Sequence, residues 1–325
     1  MGGIGGVHMR RAVATTALSA ILAGSAACTS MVQGVGIAWL YRKADHPVSH
    51  SRLDVPYVEG AASERGKQSL DLFWPEAGTS DEAGWPTVVF VHGGGWTFGD
   101  RTQSVGGADI YRNIGRFFAS RGVGAAIISY RLQPGVDWHD QQGDVAAALE
   151  WVRAEVPTLG GRGDAVFLAG HSAGSWLAAR VGLDDAGAEP GGDGVCGMIL
   201  VSGAAYDLED DRTWSLGADR AWFAERFDDG APGWTRRASV VPMVGATSPP
   251  ALVLYASGEP AKLRRQSDVL VSAYDRAGVP VARVVVPGED HERIVLTLSR
   301  DDKTAGPAML RFIEGRGCVG ERVGR

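Results

Sequence analysis

The chain is predicted to fold as α/β, with a mostly parallel central sheet, helices on both faces and a small cap inserted late in the sequence. Three observations carry this. Short apolar runs rich in β-branched residues recur at Thr87–Val91, Gly124–Tyr130, Ala165–Ala169, Gly194–Val201, Ala251–Tyr255 and Val281–Val286. Such runs, apolar on both alternating faces, mark strands buried in a parallel sheet. Between them lie stretches of helical periodicity, and strands that alternate with helices at this spacing imply parallel crossover units. From Asp207 to Pro250 the alternation stops, and Trp214, Trp222, Phe223, Phe227 and Trp234 are scattered among acids and glycines. That insertion is expected to fold over the end of the sheet. Its aromatics either line an acyl or aryl pocket or form a mini-core of their own.

With 325 residues, 45% of them hydrophobic, the chain is long enough to bury a sizeable core. A net charge of −6 and no Lys/Arg run beyond short pairs argue against a nucleic-acid partner. Cys28, Cys196 and Cys318 offer neither a disulfide framework nor C-x-x-C metal spacing, and no metal ligand set is read. Cys196, inside an apolar run, is expected to be a small buried hydrophobe.

The N-terminus reads as a bacterial export segment. Met9-Arg10-Arg11 is followed by no charge until Arg42, and Ala12 to Cys28 is a small-residue apolar run. Cys28, behind Leu22-Ala-Gly-Ser-Ala-Ala27, resembles the acylated cysteine of a lipoprotein box, with Ser25 where such boxes carry Leu. Acylation at Cys28, cleavage after Ala27 and an uncleaved anchor through Leu40 remain three open outcomes. All three place the domain in the cell envelope, on the periplasmic side, with a possible membrane tether. The division is an export segment 1–28, a linker 29–51, the main domain 52–315 with its cap at about 207–250, and a tail 316–325.

Taken in order, residues 41–60 look like a polar lead-in. Gly66-Lys67 fails as a phosphate loop because the spacing from Gly60 is wrong and Gln68 replaces Ser/Thr. Gln68 to Trp74 alternates and reads as an edge strand closed by Pro75. The strand Thr87–Val91 opens into His92-Gly93-Gly94-Gly95-Trp96. Consecutive glycines let backbone N–H groups crowd round one point, as an oxyanion site requires; the alternative is a flexible glycine loop. His92 is expected to hold that loop by hydrogen bonds, and Trp96 to pack. Helices follow at Ile110–Arg121, ended by Gly122, and at Val145–Val156, with Asp144 as its N-cap. Further helices are expected at Ser175–Val181, Lys262–Ala277 and Thr304–Glu314.

The chemistry centres on Gly170-His171-Ser172-Ala173-Gly174, a G-x-S-x-G pattern between an apolar strand and an Ala-rich helical stretch. Such a sharp turn exposes the serine hydroxyl at its apex, and small residues on either side let strand and helix pass. A serine is a poor nucleophile until a base takes its proton, and the base needs a carboxylate to fix its tautomer. Of seven histidines only His291 lies beyond Ser172, on the Pro287-Gly288-Glu289-Asp290-His291 loop that follows the last strand. The acid is expected at the end of the strand between them, where Leu252-Val-Leu-Tyr-Ala-Ser-Gly258 delivers Glu259. Asp290 and Glu289 stand too near His291 in sequence to orient it easily, and Asp268 is read as solvent-facing on a helix.

H-G-G-G-W, G-H-S-A-G and P-G-x-x-H together resemble the esterase–lipase branch of the α/β-hydrolase fold. The likeness is strongest to the small carboxylesterase and kynurenine formamidase-like group, and it covers roughly residues 52–315. Leu70-Asp-Leu-Phe-Trp-Pro75, Asp144-Val-Ala-Ala-Ala148 and Leu263-Arg-Arg-Gln-Ser267 resemble that group's early strand, a helix, and the segment after its acid. The resemblance implies that Glu259 stands where the family carries Asp. It implies oxyanion donors at the N–H groups of Gly94, Gly95 and Ala173, no metal and no cofactor. The implied activity is hydrolysis of small to medium acyl esters. An aryl formamidase and a catalytically silent, membrane-tethered binding protein are the alternatives.

Overall fold

Among the described residues, a hairpin of two-residue strands pairs Ser104–Val105 with Ala108–Asp109, while eight strands form the main sheet and eight helices accompany them. In chain order they are β1 (His50–Pro56), β2 (Ser69–Trp74), β3 (Trp85–Val91), α1 (Ile110–Ala119), β4 (Gly124–Ser129), α2 (Trp138–Glu155), β5 (Gly161–His171), α3 (Ala173–Asp184), β6 (Gly197–Val201), α4 (Gly217–Phe227), α5 (Trp234–Ala238), β7 (Ala251–Ala256), α6 (Ala261–Ala277), β8 (Val281–Val286), α7 (Arg293–Thr297) and α8 (Ala305–Glu314). The computed structural model describes residues 46, 48, 50–58, 66–76, 84–105, 107–184, 194–213 and 217–316. The export segment with Cys28, most of the linker, Trp214 and the tail with Cys318 lie outside them.

The sheet order is β1-β2-β4-β3-β5-β6-β7-β8. β2 runs antiparallel to β1 and β4, and every other pairing is parallel. The predicted fold class therefore stands. Every residue of β3, β4, β6 and β7 is buried, as a continuous apolar run requires of a strand covered on both faces. Alternation then divides the side chains between two layers. Val89, Val91, Leu168, Leu200 and Val253 pack with Leu149 of α2, Trp176 and Leu177 of α3 and Tyr274 of α6. Val88, Phe90, Phe167, Ile199 and Leu254 pack on the other face with Phe117 and Phe118 of α1 and Met309 of α8.

Three expectations are corrected. β2 is not an edge strand, because β1 pairs outside it at His50↔Trp74 and Pro56↔Ser69. The polar lead-in supplies that edge: Ser51, Arg52, Leu53 and Asp54 are all exposed, so no apolar alternation marks the strand. Asp144 is not a cap. α2 starts earlier, capped by Asp137, whose side chain accepts from Asp140 N–H while Asp140 accepts from Asp137 N–H. Asp144 lies inside the helix, buried, accepting from Arg131 N–H and guanidinium and from Gln68 Nε2 at 2.7 Å. Cys196 is buried but is bound in a disulfide, its partner lying outside the described residues.

The insertion contributes α4, α5 and a 3₁₀ turn at Val241–Met243. Phe223 and Phe227 are buried in a cluster with Trp96, Trp138 and Trp176, while Trp222 and Trp234 are half-buried. Two of the cap aromatics thus form a mini-core with the body of the sheet layer, rather than with each other alone.

Candidate active site

Each predicted catalytic or oxyanion residue sits just beyond the carboxyl end of a parallel strand, where open α/β sheets bind ligands. The glycine loop follows β3, Ser172 follows β5, Glu259 follows β7 and His291 follows β8.

Ser172 is half-buried with φ +55°, a left-handed value that strains a side-chain-bearing residue. Its N–H donates to Val201 O at 2.9 Å, and its carbonyl accepts from Ser175 N at 3.0 Å. The flanking glycines are required by close approach. A Cβ at Gly170 would stand 2.3 Å from Gly174 O, and one at Gly174 only 2.2 Å from Val91 O. The turn holds Ser172 Oγ 3.0 Å from His291 Nε2. Residues 119 positions apart along the chain are thereby in hydrogen-bond contact.

Behind the imidazole, Glu259 Oε1 stands 3.4 Å from His291 Nδ1. The distance suits an ion pair, but no hydrogen bond joins the two, and neither Glu259 oxygen has another hydrogen-bond partner. Its side chain is fully buried. A buried carboxylate without partners favours any positive charge that develops beside it, and catalytic hydrogen bonds that are long in a ligand-free site shorten in the reacting complex. The rival carboxylates are engaged elsewhere. Glu289 lies within ion-pair range of Lys303 Nζ at 3.1 Å and Arg293 Nε at 3.5 Å, although its two oxygens, like those of Glu259, accept no hydrogen bond. Asp290 accepts from Arg293 N–H at 2.8 Å, and Asp268 accepts from Tyr255 Oη and Arg283.

The glycine loop is rigid. Gly94 has φ +124°, and a Cβ there would lie 1.9 Å from Phe98 O, so glycine alone fits. Gly94 O accepts from Thr97 N and Phe98 N at 3.2 and 3.0 Å. His92 Nδ1–H donates to Gly93 O at 2.7 Å, and its ring stacks on Tyr130 at 4.4 Å. Burial pushes the His92 pKa down to about 4, so the imidazole is a neutral prop, as its position before the glycines suggested. Trp96 is buried against Trp176 and Phe227, and its carbonyl accepts from Gln133 N and Gln141 Nε2 at 3.0 and 2.8 Å. Among the described residues, no hydrogen bond engages the N–H groups of Gly94, Gly95 or Ala173. Gly93 brings the loop against Ser172: a Cβ on it would be 3.2 Å from Ser172 Cβ.

Two contacts were not legible beforehand. Arg226 of α4 lies 3.6 Å over the Trp222 ring and donates from Nε to Gly95 O at 3.2 Å, tying the cap to the glycine loop. His171, read only as the variable position of G-x-S-x-G, donates from Nε2–H to His291 O at 2.8 Å. Neither has a sequence signal, because each joins segments remote along the chain. Among the described residues, no cluster of His, Cys, Asp and Glu is arranged to hold a metal ion.

This fold and site define a class. The family model for the α/β hydrolase fold matches residues 88–295, and the chain belongs to that family. Esterase LipC of Mycobacterium tuberculosis is 30% identical over 68% of this chain and 56% of its own length. The kynurenine formamidase of Danio rerio is 25% identical over 82% of this chain and 83% of its own. Among solved structures, esterase B from Lactobacillus rhamnosis superposes with a TM-score of 0.69 over 91% of this chain and 94% of that one, at 23% identity. The chain spans about 56% of the length of LipC and of esterase LipQ from the same organism.

Proposed function

We propose that the protein is a serine carboxylesterase acting on small to medium acyl esters. The observation that carries the reading is the 3.0 Å contact between Ser172 Oγ and His291 Nε2, with the buried Glu259 behind Nδ1. In this reading His291 takes the hydroxyl proton as Ser172 attacks the ester carbonyl, then passes it to the leaving alcohol. Glu259 holds the imidazole tautomer and balances the imidazolium. The free N–H groups of Gly94, Gly95 and Ala173 receive the negative oxygen, each worth about 10²–10³ in rate. A water activated by His291 then releases the acid. Esterase names among the relatives support this class, and the length match to a formamidase gives a second reading, hydrolysis of an aryl formamide by the same residues.

Ser172→Ala is the deciding variant: turnover of p-nitrophenyl acetate and butyrate should vanish while circular dichroism stays unchanged. Retained turnover would reject the nucleophile. Fluorophosphonate labelling separates an active enzyme from a silent binding protein on the same fold. Relative kcat/KM on N-formylkynurenine and p-nitrophenyl butyrate separates the two catalytic readings.

For location we propose the cell envelope, periplasmic side, either lipid-anchored through Cys28 or secreted. The disulfide at Cys196 supports an oxidising compartment. No helix among the described residues is long and apolar enough to cross a membrane. Intact-mass measurement of the membrane fraction tests the lipid.

A further inference from the structure

We propose that His171 is a positioning residue: its Nε2–H fixes the backbone of the base loop and so sets the alignment of His291 on Ser172. The inference rests on the proposed roles of Ser172 and His291. His171 is the last residue of β5, in register with Val201 of β6, and is almost wholly buried. Its donor meets His291 O at 2.8 Å, and its ring stands 5.0 Å from the His291 ring. Among the described residues no other donor reaches that carbonyl. One strand end therefore references both partners, holding the nucleophile through residue 172 and the base through residue 171.

Packing alone does not account for an imidazole here. Nδ1 is buried without a hydrogen-bond partner, facing the space a Cβ on Gly93 would fill at 2.9 Å. An apolar ring of the same size would avoid that unsatisfied nitrogen. What the imidazole adds is the single N–H on His291 O. With Nδ1 bare and Nε2 donating, the tautomer is defined. Burial, reinforced by the neighbouring His291, holds the His171 pKa down to about 3, so the ring stays neutral while His291 gains and loses its proton. His171 thus steers the base without exchanging protons with substrate.

The test compares His171→Phe, which fills the ring volume without a donor, with His171→Gln, whose amide still reaches as a donor. For p-nitrophenyl butyrate, His171→Phe should lower kcat by about 10- to 100-fold with KM within about twofold, the pattern of misalignment at the reacting atoms. His171→Gln should keep kcat within about threefold. The acid limb of the kcat/KM pH profile should stay in place in both, since His171 carries no proton in turnover. Wild-type kcat in His171→Phe, equal losses in the two variants, or a displaced acid limb in His171→Gln would each overturn the assignment. If His171→Phe does not fold, His171→Met carries the same expectation. Ser172→Ala in the same panel separates the two levels. Loss of turnover there with wild-type kcat in His171→Phe sinks only the positioning role, whereas turnover retained in Ser172→Ala sinks both.

Discussion

The strands that carry Ser172 and His291, the proposed nucleophile and base, differ in kind. β5 lies deep in the sheet, and all its residues from Ala165 to His171 are buried. β8 is the sheet's edge, its side chains mostly exposed or half-exposed until Val286. Ser172 is accordingly held within the sheet: by a left-handed φ, by its N–H on Val201 O of the adjoining β6, and by two glycines that permit contact distances below any side chain's reach. The base is held by ties from elsewhere. Gly258 N donates to Glu289 O at 2.9 Å, Gly288 N to Ser257 Oγ at 3.1 Å, and His171 to His291 O. One end is built by local geometry and the other by tertiary contacts. Damage to the first should be all-or-none, and damage to the second graded.

The sharpest test of the local end is Gly174→Ala. The added methyl would meet Val91 O and His92 O at 2.2 and 2.4 Å, both backbone atoms in or beside a buried strand that cannot yield. Overpacking against backbone exceeds the usual range of about 1–3 kcal/mol for side-chain crowding. The expected outcome is loss of soluble folded protein or of nearly all activity, read by expression yield and near-ultraviolet circular dichroism. A well-folded, active Gly174→Ala would show that the turn is less constrained than its geometry indicates.

At the tertiary end, two buried glutamates offer a contrast within one loop cluster. Glu259→Gln should lower kcat by up to about 10⁴, the effect of a mis-set histidine tautomer. It should leave the melting temperature unchanged or raised, because a carboxylate with no hydrogen-bond partner is replaced by a neutral amide. Glu289, whose oxygens also lack hydrogen-bond partners, differs in facing two cations, so Glu289→Gln should do the reverse. It breaks contacts to Lys303 and Arg293, whose side chains are 34% and 57% exposed and so return to water at little cost. The stability loss should stay near or below about 3 kcal/mol, the lower bound for severing a fully buried pair, with kcat within about threefold. Thermal denaturation and steady-state kinetics on both variants decide the matter. If Glu289→Gln were the one that stopped turnover, the acid assignment would fall.

The same contrast explains what could be read in the chain beforehand. β3, β4, β6 and β7 were visible because burial on both faces forces uninterrupted apolar runs such as Thr87–Val91. Ser172 and the glycine loop were visible because strained turns demand glycine at fixed spacing. β1 was missed because an exposed edge strand such as Ser51-Arg52-Leu53-Asp54 has no inside face to pattern. Asp144 was misassigned because a buried aspartate answering Arg131 inside a helix looks, in sequence, like an aspartate capping one. Arg226 and His171 escaped notice because their partners, Gly95 O and His291 O, are carbonyls, and every residue has one.

A last expected effect concerns stability against pH, and it belongs to the Ser172 side of the site. His92 and His171 are both buried and neutral, with pKa values pushed by burial from the ordinary 6.5 to about 4 and about 3. Above pH 6.5 the folded and unfolded chains are both unprotonated at these positions, and pH has no leverage through them. As pH falls below 6.5, the unfolded chain binds protons that the fold refuses, so stability declines. The slope is about 1.4 kcal/mol per pH unit for each histidine. The decline stops only when the folded rings themselves take up protons, near pH 4 for His92 and pH 3 for His171. Urea midpoints at pH 7, 6 and 5 should therefore fall progressively, and His171→Gln should remove one histidine's share of the slope. A flat profile in the wild type, or an unchanged slope in the variant, would mean that these rings are not held neutral by burial.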